Sequence, residues 1–181
     1  MSIPNLITLA RLLSVPIIVW LVVSDDLLAA LIVFGLAGLS DAVDGFVAKR
    51  FNQSSALGAM LDPVADKAML VSLFITLGLM NRLPPWVVIL VVFRDLLLIG
   101  GFLFWAALGQ RINPDPLVIS KINTVAQICL ILETLGRLAF KVPDYDLGMA
   151  LTYVVGATTA LSGAAYLVRW ARSLAGAEIG L

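Results

Sequence analysis

"DAVDGFVAKRFNQSSALGAMLDPVADK", residues 41–67, places four carboxylates, Asp41, Asp44, Asp62 and Asp66, in a chain that is otherwise apolar from end to end. Hydrophobic residues fill 61% of the 181 positions and charged residues 13%, with a mean hydropathy of +1.03. A soluble domain is nearer half apolar and a quarter charged, so lipid is the expected solvent for most of this surface. Both arms of the quoted stretch run into apolar segments long enough to span a bilayer. The stretch therefore reads as two neighbouring membrane helices that meet at a short polar turn.

Working outward, a spanning helix needs about 20 mostly apolar residues. Six segments qualify, at 6–24, 27–48, 57–80, 86–108, 119–140 and 147–170. Breaker clusters separate them: "SDD" at 24–26, "NQSS" at 52–55, "NRLPP" at 81–85, "GQRINPDP" at 109–116 and "KVPDYD" at 141–146. The expected fold is all-α, a six-helix transmembrane bundle forming a single membrane domain over residues 1–181. No basic n-region precedes an apolar run with a cleavage site, so no signal peptide is expected.

An even number of spans puts both termini on one side. With the termini cytoplasmic, the cytoplasmic ends hold Lys49, Arg50, Arg111, Lys121, Arg169 and Arg172. The opposite ends hold Arg82, Arg137 and Lys141, with Asp25, Asp26, Asp144 and Asp146. That excess of positive charge favours cytoplasmic termini. It also puts the acidic stretch at the cytoplasmic ends of spans two and three.

Several classes of chemistry drop out. The chain has no histidine, which removes His-built zinc, copper or haem sites and a His general base. Net charge is zero and the basic residues form no run, so nucleic acid is not an expected partner. Cys129 is the lone cysteine, lies inside an apolar run, and reads as a small core residue. Small residues at Gly156, Ala160, Gly163 and Ala164 suit either packing within the bundle or a dimer face.

Asp41 and Asp44 are spaced i, i+3; Asp62 and Asp66 are spaced i, i+4, with Gly58 one turn before Asp62. On a helix such pairs lie on one stripe, about 5–6 Å apart. A carboxylate at the bilayer centre costs about 2.5–3.5 kcal/mol, and four together also repel. Positive charge must compensate them. Lys49, Arg50 and Lys67 supply part of it. An oxygen-only donor set also suits Mg²⁺ or Mn²⁺, and two such ions bridged by carboxylates are a common device for displacement at phosphorus. Gly45 and Gly58 leave room for a bulky ligand to approach. On residues alone, a proton relay, a cation pathway and a structural Asp–Lys network stay open beside phosphoryl transfer.

Taken whole, Asp41, Asp44, Gly45, Ala48, Lys49, then Gly58, Asp62 and Asp66 closely resemble the signature of the CDP-alcohol phosphotransferases. It fixes eight positions over 26 residues. One position departs: the family has arginine where this chain has Lys49, which keeps the charge and loses the bidentate fork onto a phosphate. Arg50 is rotated about 100° around the helix and is an imperfect substitute.

The resemblance implies a six-helix membrane bundle, usually dimeric, whose site opens to the cytoplasm. Asp41, Asp44 and Asp62 would hold two divalent ions, and Asp66 would complete the second ion's shell or take the proton from the incoming alcohol. Gly45, Ala48, Lys49 and Gly58 would line the CDP pocket. Within the family, "IPNLITLAR" at 3–11 is similar to the branches that make phosphatidylglycerophosphate and cardiolipin. "FRDLLLIGG" at 93–101 and "ISKINTVAQ" at 119–127 are more similar to the cardiolipin synthases.

The residues expected near the acceptor or lipid phosphate are Arg11, Arg94, Arg111, Lys121 and Asn123. Arg11 has a second reading as a partner for an aspartate, Arg94–Asp95 as a structural pair, and Arg111 and Lys121 as anchors at the interface. Glycerol 3-phosphate is a dianion that calls for several fixed cations; phosphatidylglycerol carries one phosphodiester charge and suits this set better. The expected reaction joins CDP-diacylglycerol and phosphatidylglycerol and releases CMP. Phosphatidylglycerophosphate synthesis is the alternative acceptor chemistry, and cation or proton transport is the alternative class. The expected setting is a bacterial inner membrane, with a homodimer as the assembly.

Overall fold

The computed structural model describes residues 3–51, 56–107, 117–143 and 146–178; side chains are described over 10–40, 67–101, 117–143 and 146–172. Among them there are six helices and no strands: α1 (Ile3–Val23), α2 (Leu27–Phe51), α3 (Ala56–Leu79), α4 (Pro85–Ala107), α5 (Val118–Ala139) and α6 (Leu147–Glu178). The expected segments match these within a few residues, apart from α6. That helix runs on past 170, because "ARSLAGAE" consists largely of good helix formers even though it is no longer apolar.

By length and apolarity, two described helical stretches can cross a membrane, Val118–Ala139 and Leu147–Arg172. The described apolar parts of α1, α2 and α3 are shorter, at Ala10–Val23, Leu27–Ser40 and Lys67–Leu79. The outward faces are apolar all the same: Trp20, Leu36, Leu79, Ile89, Phe93, Leu96, Val125, Tyr153 and Leu161 are all exposed. So many large apolar side chains facing out suit a lipid environment.

Three of the turns share one construction. After α1, α3 and α5 the chain takes a left-handed residue, Asp25, Asn81 and Lys141, with φ of 60°, 56° and 53°. In each, the next amide reaches back to close the helix: Asp26 to Leu21 O at 2.9 Å, Arg82 to Leu77 O at 2.8 Å and Val142 to Arg137 O at 2.9 Å. This is the Schellman cap, here made without its usual glycine. Asp26 serves twice, since its Oδ1 also accepts the Ala29 amide at 3.3 Å and caps the start of α2.

The chain divides into two compact units, Met1–Pro84 with Ile131–Tyr145 and Pro85–Leu130 with Asp146–Leu181. In the first, α1 packs on both α2 and α3. Its core is apolar, built from Ile18 and Val22 of α1, Ala30 and Phe34 of α2, Leu73, Phe74 and Leu77 of α3, and Ile131 and Leu135 of α5. In the second unit, α4 packs on α6. The pairs Trp86 with Gly156, Arg94 with Gly163 and Gly101 with Trp170 advance together, so these helices run parallel in steady register. A Cβ on Gly156 would lie 2.6 Å from the Trp86 ring, and one on Gly101 would overlap the Trp170 indole.

Candidate active site

The carboxylates lie on the first unit's helices. Asp41 and Asp44 are in the second half of α2, and Asp62 and Asp66 in the first half of α3. α1 packs against both helices and carries Arg11, which is 5% exposed. A side chain of that charge is seldom so buried without compensation, and Arg11 does have a partner. The side chains of Asp41, Asp44, Asp62, Asp66, Gly45, Ala48, Lys49 and Gly58 lie outside the described set, as does all of Arg111. Among the described residues no three acidic or sulfur ligands gather into a metal site.

Apart from Arg11, the described residues of the expected site are in the second unit. Arg94 is 2% exposed, with both terminal nitrogens engaged by its neighbours and Nε buried without a hydrogen-bond partner among the described residues. Its Nη1 donates to Asp95 Oδ1 at 2.6 Å, and its Nη2 donates to Ser120 Oγ at 2.6 Å and Ser162 Oγ at 2.7 Å. One guanidinium thus joins α4, α5 and α6. Asp95 is also buried, at 1% exposure, so the positive charge is neutralised where it sits.

One turn further along α5, Asn123 is fully buried. Its Oδ1 accepts the Thr159 hydroxyl at 2.8 Å, and the Thr158 hydroxyl lies 2.9 Å from the same oxygen. Gln127 follows one turn later, also fully buried, and neither end of its amide has a hydrogen-bond partner among the described residues. Asn123 Nδ2 lacks one as well. Lys121, between Ser120 and Asn123 in sequence, points away from this cluster and is exposed.

Of the expected acceptor residues, the structure therefore brings Arg94 and Asn123 into one buried polar seam and leaves Lys121 at the surface. Ser120, Thr159, Ser162 and Tyr166 complete the seam and were not singled out from sequence. Only Ser120 carried a hint, lying beside Lys121 in the 119–127 stretch. Serine and threonine occur so widely in membrane helices, often bonded to their own backbone as Thr152 is to Gly148 O at 2.8 Å, that composition cannot select the few that bridge.

Two further expectations resolve here. Gly156 and Gly163 of the small-residue series face α4, at Trp86 and at the Arg94 stem, whereas Ala160 and Ala164 are exposed. The glycines thus serve packing within the chain. Cys129 is not a core residue but lies exposed on α5, because the buried face of that helix is set by Asn123, Gln127 and Leu130. Glu133 on the same helix pairs with Arg137 one turn on at 3.2 Å.

With this geometry in hand, the known proteins become informative. The family described as CDP-alcohol phosphatidyltransferase matches residues 1–168. A relative from Homo sapiens named cardiolipin synthase (CMP-forming) is 33% identical over 91% of this chain and 60% of its own length. One from Oryza sativa subsp. japonica, named CDP-diacylglycerol–glycerol-3-phosphate 3-phosphatidyltransferase 1, chloroplastic, is 33% identical over 94% of this chain and 57% of its own length. One from Shigella flexneri, named CDP-diacylglycerol–glycerol-3-phosphate 3-phosphatidyltransferase, is 34% identical over 92% of this chain and 93% of its own length. The chain spans less than two thirds of the first two and nearly all of the third. Nearly the whole length that carries the four aspartates and the buried seam is covered by that family match: the chain belongs to the CDP-alcohol phosphatidyltransferase family.

Proposed function

We propose that this protein is a membrane phosphatidyltransferase that joins CDP-diacylglycerol to phosphatidylglycerol, forming cardiolipin and releasing CMP. Family membership supports the reaction class and displaces the transport reading. The relatives carry both acceptor names at nearly the same identity, so the acceptor rests on the chain's own residues.

The observation that carries it is the charge state of the α4–α5 region. Arg94 is neutralised internally by Asp95, the buried polar position one turn past Ser120 is the uncharged Asn123, and among the described residues of that stretch Lys121 is the cation left exposed. One such cation suits the single charge of a phosphodiester better than a phosphate dianion. Glycerol 3-phosphate is the second reading, supported by the names of the Oryza and Shigella relatives.

The donor set, four carboxylates on two helices, fits Mg²⁺ or Mn²⁺, with Asp41, Asp44, Asp62 and Asp66 as the residues that would hold two ions. Bound there, the ions would offset the charge of the diphosphate. Gly45, Ala48 and Gly58 leave space for the nucleotide, and Lys49 meets a phosphate oxygen as a point charge. Asp66 takes the proton from the acceptor hydroxyl as its oxygen attacks the lipid-side phosphorus. The new P–O bond forms as the bond to the bridging oxygen breaks, and CMP leaves with that electron pair. The domain is one membrane unit over 1–181, with the site at the cytoplasmic end and a homodimer as its assembly. Its setting is a bacterial inner membrane with both termini cytoplasmic.

The deciding experiment follows CMP release by purified protein in detergent with Mg²⁺ and CDP-diacylglycerol. Phosphatidylglycerol and glycerol 3-phosphate are supplied in separate reactions. Turnover with phosphatidylglycerol alone is expected. Turnover with glycerol 3-phosphate alone overturns the acceptor, and none with either overturns the reading.

A further inference from the structure

We infer that Arg94 is a positioning residue, which pins the first turn of α5 to α4 and α6 and so presents Lys121 to an anionic acceptor. The role of Lys121 rests on the function proposed above; the pin itself does not.

A guanidinium that binds a phosphate does so with a fork of two N–H groups. Arg94 has no such fork to offer, since Nη1 is bound to Asp95 and Nη2 to two serines. Its partner Asp95 adjoins it on the same helix, so the ion pair by itself fixes nothing between helices. The two serine bonds do, because they come from α5 and α6.

Their location gives the bonds a purpose. α5 begins at Val118, so Ser120 and Lys121 stand in its first turn, the part of a helix that frays unless held. Leu117, just before it, donates its amide to the Tyr166 hydroxyl of α6 at 3.3 Å. The backbone is therefore anchored at 117 by α6 and at 120 by α4 and α6 together, and Lys121 is the next residue. Lysine carries its charge on a flexible stem. Fixing the backbone beneath it limits the volume the ammonium samples, and that gain falls on the acceptor rather than on CDP-diacylglycerol.

The test uses the full-length protein and the variants Ser162→Ala, Ser120→Ala, Arg94→Lys and Lys121→Gln, singly and with Lys121→Gln as background. Ser162→Ala is expected to raise KM for phosphatidylglycerol about tenfold, with kcat and the KM for CDP-diacylglycerol within about twofold. In the Lys121→Gln background Ser162→Ala should add almost nothing, because the two act through one charge. Ser120→Ala should behave alike, and covers the case in which Ser162→Ala fails to fold. Effects that multiply in the double variant, or an Arg94→Lys loss that survives intact in the Lys121→Gln background, overturn the inference and make Arg94 a direct acceptor ligand.

Hydrogen exchange at residues 121–124 gives a readout independent of turnover. It should rise about tenfold in Ser162→Ala and stay unchanged in Lys121→Gln. Wild-type protein without CMP release would sink the functional reading alone; unchanged exchange in Ser162→Ala would sink the pin, whatever the activity.

Discussion

Phe74 of α3 and Arg94 of α4 are among the largest side chains the protein buries completely, at 0% and 2% exposure, and they fill their cores in different ways. The buried residues of the core that holds Phe74 include the aliphatic Leu70, Leu73 and Leu77 on the same helix, and Ile18 and Val22 on α1, which packs against it. Arg94 is bonded to Asp95, Ser120 and Ser162, and the buried residues further along α5 and α6 include the bonded pair Asn123 and Thr159. The first core is held by dispersion, which is non-directional and tolerates small slips. The second is held by hydrogen bonds, each requiring one partner at one distance. Between helices in lipid the hydrophobic drive is weak, and packing plus polar bonds of about 1–2 kcal/mol or less each take its place. The second unit thus has a defined register of α4, α5 and α6 that leucines alone would specify less sharply. The cost is vulnerability, because a polar core is only as good as its least satisfied member.

That contrast can be broken at its strongest points first. Asp95→Asn removes the counter-charge from a buried guanidinium and is expected to destabilise the protein by about 3–5 kcal/mol. Phe74→Ala in the apolar core should cost a similar amount, about 3–5 kcal/mol, through a cavity. The two separate on rescue. Phe74→Leu should recover most of the loss, whereas Asp95→Leu should recover none, because no apolar residue neutralises Arg94. Thermal unfolding in detergent compares all four, and a stable Asp95→Leu would mean that the arginine's charge is met elsewhere.

Asp62→Asn tests a charged position on α3 whose side chain is outside the described set. It should cut CMP release by about a hundredfold or more while leaving the melting temperature within a few degrees. Retained turnover would remove Asp62 from the metal-holding set.

Gln127→Met should do the reverse of Asp95→Asn. Its amide is buried with both ends unpartnered among the described residues, and an apolar side chain of similar shape removes that penalty. A gain of about 1 kcal/mol is expected. A loss would show that the amide has a partner in the working protein.

The smallest effect lies at the turns. Lys141 holds φ at 53°, where a β-carbon is strained and glycine is not, so Lys141→Gly should stabilise by about 0.5–1 kcal/mol. Asn81→Gly, where asparagine already tolerates that conformation, should gain less. Equal gains would mean that the shared cap, rather than the residue, sets the strain.

How much of this was legible beforehand differs from element to element. Helix positions could be read because apolar runs and their breakers are local: "NRLPP" at 81–85 ends one helix and begins the next whatever surrounds it. The helical placement of the aspartates could be read because their i, i+3 and i, i+4 spacing is itself helical. Arg94 was legible as a charge but not as a tie, since its serine partners lie 26 and 68 residues away. Cys129 was misplaced for the same reason: an apolar run does not say which of its faces is covered.

By itself the sequence determined the six helices, the apolar character of the chain and its family. These depend on composition, periodicity and fixed offsets along one strand of covalent chain. Only the tertiary structure decided that the small residues of α6 seat Trp86 and the Arg94 stem, that Arg94 spends its hydrogen bonds on the protein, and that Lys121 remains exposed. Those outcomes depend on which side chains from distant helices meet within about 3 Å, and hydrogen bonds decay too steeply with distance and angle for spacing along the chain to reveal them.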